Sequence, residues 1–180
     1  MVAAIRAGKA NTDYTALRAA YVKDKSYDPY GVGVSALSGQ MSRAFRGDDC
    51  KTAIATANQI ASIRFVDLDA HFIAASCLDK AGDKAHADME SAIFVGLGRS
   101  ILRSGDGKSP ETAFHVVTLA EEYFVLGLKD VAMERQALIR AGDHSYDLIT
   151  GKIKGKGTKA EYYFEIDKLQ AAEAKALHGK

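Results

Sequence analysis

The chain has 180 residues, 47% hydrophobic and 26% charged, enough apolar material for one domain with its own core. Its 24 basic and 23 acidic residues leave a formal net charge of +1, which argues against a nucleic-acid or acidic-lipid partner. No apolar run approaches membrane-spanning length, and an alanine-rich chain with only two prolines points to helix.

A first helix is expected from an N-cap at Thr12 or Asn11, with Tyr14, Leu17 and Tyr21 at spacings of three and four. It ends in the turn-rich run from Ser26 to Gly33. Further helices are predicted over Ser35–Phe45, Lys51–Arg64, Asp67–Lys80 and Lys84–Leu102, the last with Met89, Ile93, Leu97 and Ile101 in register. A sixth is predicted from Pro110 to Leu128, with Ser109 as N-cap, and a seventh over Lys129–Arg140, stopping at Gly142. Beyond it, Tyr146, Leu148 and Thr150, then Tyr162, Phe164 and Ile166, recur with period two. This predicts a β-hairpin at about 145–167 with one buried face, laid on the helical body. A short helix over Lys168–Leu177 closes the chain.

The helix stops suggest a repeat. Phe45-Arg46-Gly47-Asp48 returns as Lys80-Ala81-Gly82-Asp83, with Gly47 and Gly82 35 positions apart, near the tetratricopeptide period. Ala53 and Ala87 occupy the small-residue positions. Two degenerate helical hairpins are expected, with a third starting at Gly127; an irregular bundle using glycine C-caps is the alternative. The expected architecture is therefore mainly α, with antiparallel, tetratricopeptide-like hairpins and a C-terminal β-hairpin in a single domain spanning residues 1–180.

Cys50 and Cys77 do not form a disulfide framework by number. A helix pair turning near Val66 would place Cys77 opposite residue 55 or 56, so two buried free thiols are expected rather than a bond. The opening Met1-Val2-Ala3-Ala4-Ile5-Arg6 lacks the charged leader and apolar core of a signal peptide.

A series of motifs runs through the chain in order. It comprises Tyr14-Thr15-Ala16-Leu17-Arg18, Tyr27-Asp28-Pro29-Tyr30-Gly31, Leu68-Asp69-Ala70-His71, Ser104-Gly105-Asp106-Gly107-Lys108-Ser109, Glu121-Glu122-Tyr123, Tyr146-Asp147 and Tyr163-Phe164-Glu165-Ile166-Asp167. Together they resemble the bacterial family called domain of unknown function 4919. The resemblance implies a helical, tetratricopeptide-like body and proteins that are often exported to the periplasm. It implies no particular activity.

The Gly105-Asp106-Gly107-Lys108-Ser109 run invites a phosphate-loop reading, but Leu102 stands where the motif needs glycine, and no strand precedes it. A capped corner is expected instead, with Gly105, Asp106, Gly107 and Ser109 as the candidate ligand-binding residues and a small anion at the free N–H groups near Pro110 and Glu111 as the functional version. At least one of Glu121 and Glu122 should be buried, serving as a polar staple or as a general acid or base. His71 lies on an apolar stripe and reads as a satisfied core histidine. Asp67 and Asp69 beside it do not converge, and no His-x-x-x-His or Cys-x-x-Cys spacing supports a metal. The lysines at 152, 154, 156 and 159 read as a solvated turn guarding an edge strand.

The leading expectation is a non-enzymatic module that binds a protein or peptide through the helix pairs or the hairpin edge, without cofactor or metal. The alternative is a small hydrolase using Glu121, Glu122, His115, His71 and Asp106.

Overall fold

The computed structural model describes residues 2–6 and 12–178. It is mostly helical, with a four-stranded mixed sheet in the C-terminal half. The chain divides into two compact units, residues 1–27 with 31–98, and residues 28–30 with 99–180.

The first unit contains α1 (Val2–Arg6), α2 (Tyr14–Val22), α3 (Ser35–Arg46), α4 (Cys50–Ile63), α5 (Leu68–Lys80) and most of α6 (Lys84–Leu102). Aspartates start four of these helices, Asp83 before α6 accepting the backbone N–H of His86. Asp13, Asp49 and Asp67 accept the backbone N–H of Ala16, Thr52 and Ala70, satisfying donors that the first turn leaves free. The N-cap of α2 is therefore Asp13 rather than Thr12, and Asn11 lies outside the described residues. α3 packs on α4 and α4 on α5 around Met41, Ala53, Ala57, Ile60, Ala70, Ile73, Ala74 and Cys77. The many alanines let helix backbones come close.

That closeness overturns the expectation of free thiols: Cys50 and Cys77 form a disulfide, with their Cα atoms 5.1 Å apart. Counting evenly about Val66 ignores the connection. Arg64–Asp67 forms a folded turn, with Arg64 N–H donating to the Ile60 carbonyl and Asp67 N–H to that of Arg64. Thirteen positions separate Cys50 from Ile63 and nine separate Leu68 from Cys77. The turn absorbs this difference of about one helical turn.

The second unit contains β1 (Phe114–His115), α7 (Leu119–Leu128), β2 (Val131–Ala141), β3 (His144–Ile153), β4 (Lys159–Glu165) and α8 (Asp167–His178). The sheet order is β1-β4-β3-β2, with β1 parallel to β4 and the other pairs antiparallel. The core draws on Phe114, Val116, Val125, Leu126, Ile149, Phe164 and Leu169, and the Phe114 and Phe164 rings lie 5.8 Å apart.

Three expectations fail here. The sixth helix does not start at Pro110. Pro110–Thr112 makes a 3₁₀ turn, Phe114 and His115 join the sheet, and α7 begins after Thr118. The β-branched run Val116-Val117-Thr118 suits extended backbone, and it follows directly on Phe114 and His115, which pair with Phe164 and Glu165, while the Val116 N–H donates to the Glu165 carbonyl.

The seventh helix is strand β2. Residues such as Met133, Glu134, Gln136 and Leu138 favour helix, but the Gly142-Asp143 pair forms a two-residue turn, with Gly142 at φ 59°, and folds β2 onto β3. Tertiary pairing overrides local propensity.

The hairpin stands as β3 and β4, with Phe164 and Ile166 buried as expected, but on β3 the inward set differs, although Tyr146 is buried too. Asp147 pairs with Phe164, so the buried face takes Ser145, Asp147 and Ile149 from β3. A register offset of one residue reverses which side chains a strand turns inward.

Candidate functional site

The corner at Gly105–Thr112 is built from its own backbone. Asp106 and Gly107 both donate N–H to the Thr112 carbonyl, at 3.0 and 2.7 Å. The Asp106 carboxylate accepts from the Thr112 hydroxyl at 2.7 Å and from Lys108 N–H at 3.0 Å, and the hydroxyl bond leads in holding its pKa below the usual carboxylate range. Gly107 offers its carbonyl to Tyr163 N–H at 2.8 Å, tying the corner to β4. Ser109 Oγ lies 3.3 Å from Thr112 Oγ1. The N–H groups of Asp106, Gly107 and Lys108 are thus spent inside the loop.

At Gly105 a side chain is sterically excluded. A Cβ there would collide with the backbone carbonyls of Thr112 and Ala113. The glycine exists for this close approach.

Glu121 and Glu122 sit in the first turn of α7, each only 1% exposed. Glu121 reaches back and accepts Val117 N–H at 2.8 Å, which anchors the entry to the helix near the positive end of its dipole. Glu122 faces Asp147 on β3. Burial, then the neighbouring Asp147 charge, pushes its pKa up to about 8, so at neutral pH it carries a proton and donates it to Asp147. Asp147 is itself raised by burial, an effect opposed by bonds from Gln136 Nε2, at 2.6 Å, and from Glu122. The other Glu122 oxygen, Oε1, is buried without a hydrogen-bond partner. On the exposed side Tyr30 donates to Glu173 at 3.3 Å, and its pKa is raised by burial first and then by that carboxylate.

The remaining candidates lie apart from this pair. His115 is half exposed and places Nε2 3.3 Å from Glu165 Oε2. Ser104 Oγ bonds the His115 backbone N–H at 2.9 Å rather than its ring, so serine, histidine and glutamate do not form a nucleophilic relay. His71 belongs to the first unit and is fully buried, with Nδ1 on Glu90 and Nε2 on the Phe65 carbonyl. Among the described residues no group of three or more His, Cys, Asp or Glu side chains could hold a metal ion.

The sequence reading missed Asp147, Gln136 and the edge strand β2. An acid set in a strand between Tyr146 and Leu148 was the available signal for Asp147. Gln136 was hidden inside a segment read as helix. β2 ends the sheet, and among the described residues no strand pairs with its outer side. Its residues 132–136, Leu138 and Arg140 are exposed, Leu138 by 59%. One irregularity interrupts it: Glu134 is an extra residue between the pairs Met133–Gly151 and Arg135–Thr150.

A family model described as Domain of unknown function (DUF4919) matches residues 8–175. The chain belongs to the DUF4919 family. No curated protein and no solved structure matches it. In this DUF4919 chain no helix among the described residues is long and apolar enough to cross a membrane.

Proposed function

We propose that this protein is a non-enzymatic binding module that captures an extended segment of a partner along the outer edge of β2. The carrying observation is the terminal position of an 11-residue strand whose edge is open. Such an edge offers an alternating row of N–H and C=O groups to an added strand, and side chains on alternate positions supply selectivity.

Three further features support this reading. The acids that a hydrolase would use are buried and engaged, Glu121 with the Val117 N–H and Glu122 with Asp147. The repeated Gly47 and Gly82 both stand at helix ends, which fits tetratricopeptide-like antiparallel hairpins acting as a scaffold. A groove of about 890 Å³ beside α2 and the end of α4, with Arg6 stacked over Phe65, is a second surface in the first unit where a segment could lie. The edge is favoured over it because an added strand there satisfies backbone groups directly. The Cys50–Cys77 disulfide further supports an oxidising compartment, in line with export.

Selection of displayed random peptides against the wild type and Leu138→Pro tests the reading. Proline at this edge position removes an outward N–H. Peptides that bind the wild type and lose the variant are expected. Peptides that bind both equally would place the binding surface elsewhere.

A further inference from the structure

The start of α8 is clasped to the start of β3. Ile166 N–H donates to the Ser145 carbonyl at 3.0 Å, and Ser145 N–H returns a bond to Asp167 Oδ1 at 2.8 Å. The other Asp167 oxygen, Oδ2, meets His144 Nδ1 at 2.5 Å. One carboxylate thus spends both oxygens on two consecutive residues of β3. Beyond this clasp little fastens the helix. Among the described residues of α8 only Leu169 is buried, and the positions from 173 to 177 are exposed. The Tyr30 hydroxyl adds one bond, to Glu173.

We infer that α8 is a pH-sensitive strap: the His144 imidazolium clasps Asp167 and holds the helix on β3, and the neutral ring lets it lift. Lifting withdraws Leu169 from the core of the second unit.

The groups around the clasp leave its titration to His144. Asp167 stays charged, because the bonds from His144 and Ser145 outweigh its burial and keep its carboxyl below the usual range. Glu165 on β4 is paired with Lys168 at 2.9 Å, and its second oxygen faces His115 of β1 at 3.3 Å. The Tyr146 ring stands edge-on to His144 and stays neutral, since burial and then Glu165, Asp167 and Glu111 push its pKa up. For His144 itself, the bond to Asp167 leads, and the charges of Asp167, Glu165 and Asp143 add to it, in raising the pKa above an ordinary 6.5. A histidine raised on folding holds fully below its ordinary value and lets go as pH rises through the folded one. The neutral ring still offers Asp167 an N–H, so a charge-assisted bond becomes an ordinary one. Both side chains are partly exposed, which keeps the change to a few-fold.

Residue-resolved amide exchange on the full chain, with its disulfide intact, tests the strap between about pH 5.5 and about pH 7.5. Protection factors, corrected for the intrinsic effect of pH on exchange, should fall about threefold for the amides from Ala171 to Ala174. Those of Ile149 and Phe164 should hold. His144→Gln keeps a donor without the charge, so its α8 should show the lower protection at both pH values. Glu122→Gln removes the other titrating group of this unit and should leave the fall in place. A wild-type α8 indifferent to pH overturns the inference. So does a fall that survives His144→Gln, or one that vanishes with Glu122→Gln. An equal fall at Ile149 and Phe164 also overturns it, because the unit would then open as a whole.

Discussion

Glu122 and Asp147, on α7 and β3, share one proton in the interior of the second unit: Glu122 donates it, and Asp147 accepts from Glu122 and from Gln136. This arrangement stabilises the protonated form of Glu122 in the folded state, where its pKa is about 8 against an ordinary 4.5. For a carboxyl raised on folding, the stabilisation is full below the ordinary value and is lost as pH rises through the folded one. At about 1.4 kcal/mol for each unit of pKa, rising pH should remove on the order of 5 kcal/mol between those limits. Glu122→Gln keeps a neutral donor toward Asp147 and should flatten that slope, so that the variant unfolds at the higher temperature in mildly alkaline buffer. Thermal unfolding of both proteins across this range checks it, and an unchanged slope would remove the shared proton.

Glu121 performs a different task from its neighbour. It holds Val117 N–H, so Glu121→Ala leaves a buried donor unpaired and should cost about 1–3 kcal/mol. Glu121→Gln retains an acceptor oxygen and should cost less. Urea denaturation of the two variants distinguishes them, and equal stability of all three proteins would contradict the staple role.

The corner before β1 depends on a missing side chain. Gly105→Ala drives a Cβ into two backbone carbonyls, which cannot swing aside as a side-chain tip can. The expected loss is about 3 kcal/mol. Chemical denaturation measures it, and a loss below a few tenths would show that the corner yields.

Much of the helical unit was legible because its signals are local. Lys84–Leu102 and the four preceding helices follow from apolar spacing with glycine or aspartate at the boundaries. The sheet was only half legible. Period two in residues 146–150 and 162–166 exposed the hairpin, whereas Val131–Ala141 carries helix-favouring residues and becomes a strand through pairing with β3. The Gly142-Asp143 turn was the available cue, and it was read as a helix stop. The paired acids were half visible for the same reason. Glu122 was singled out, but Asp147 and Gln136 reach it only through a register that no single strand records.

The disulfide was lost to a similar gap, since the turn at Arg64–Asp67 sets the offset between α4 and α5. It closes a loop with a sequence separation of 27, for which chain entropy gives about 3.5 kcal/mol of stabilisation. Cys77→Ser, or reduction of the wild type, should lower stability by roughly that amount. Denaturation with and without a thiol reductant checks it. A wild type indifferent to reductant would mean that the bond adds nothing.

Amide hydrogen exchange across β2, resolved by residue, tests the central claim most directly. On capture of an extended segment, the outward N–H groups of Gln136, Leu138 and Arg140 should slow by about a hundredfold or more, while those of Ala137 and Ile139, already bonded to β3, change little. Protection that appears on other elements and leaves these three amides exchanging freely would contradict strand capture at this edge.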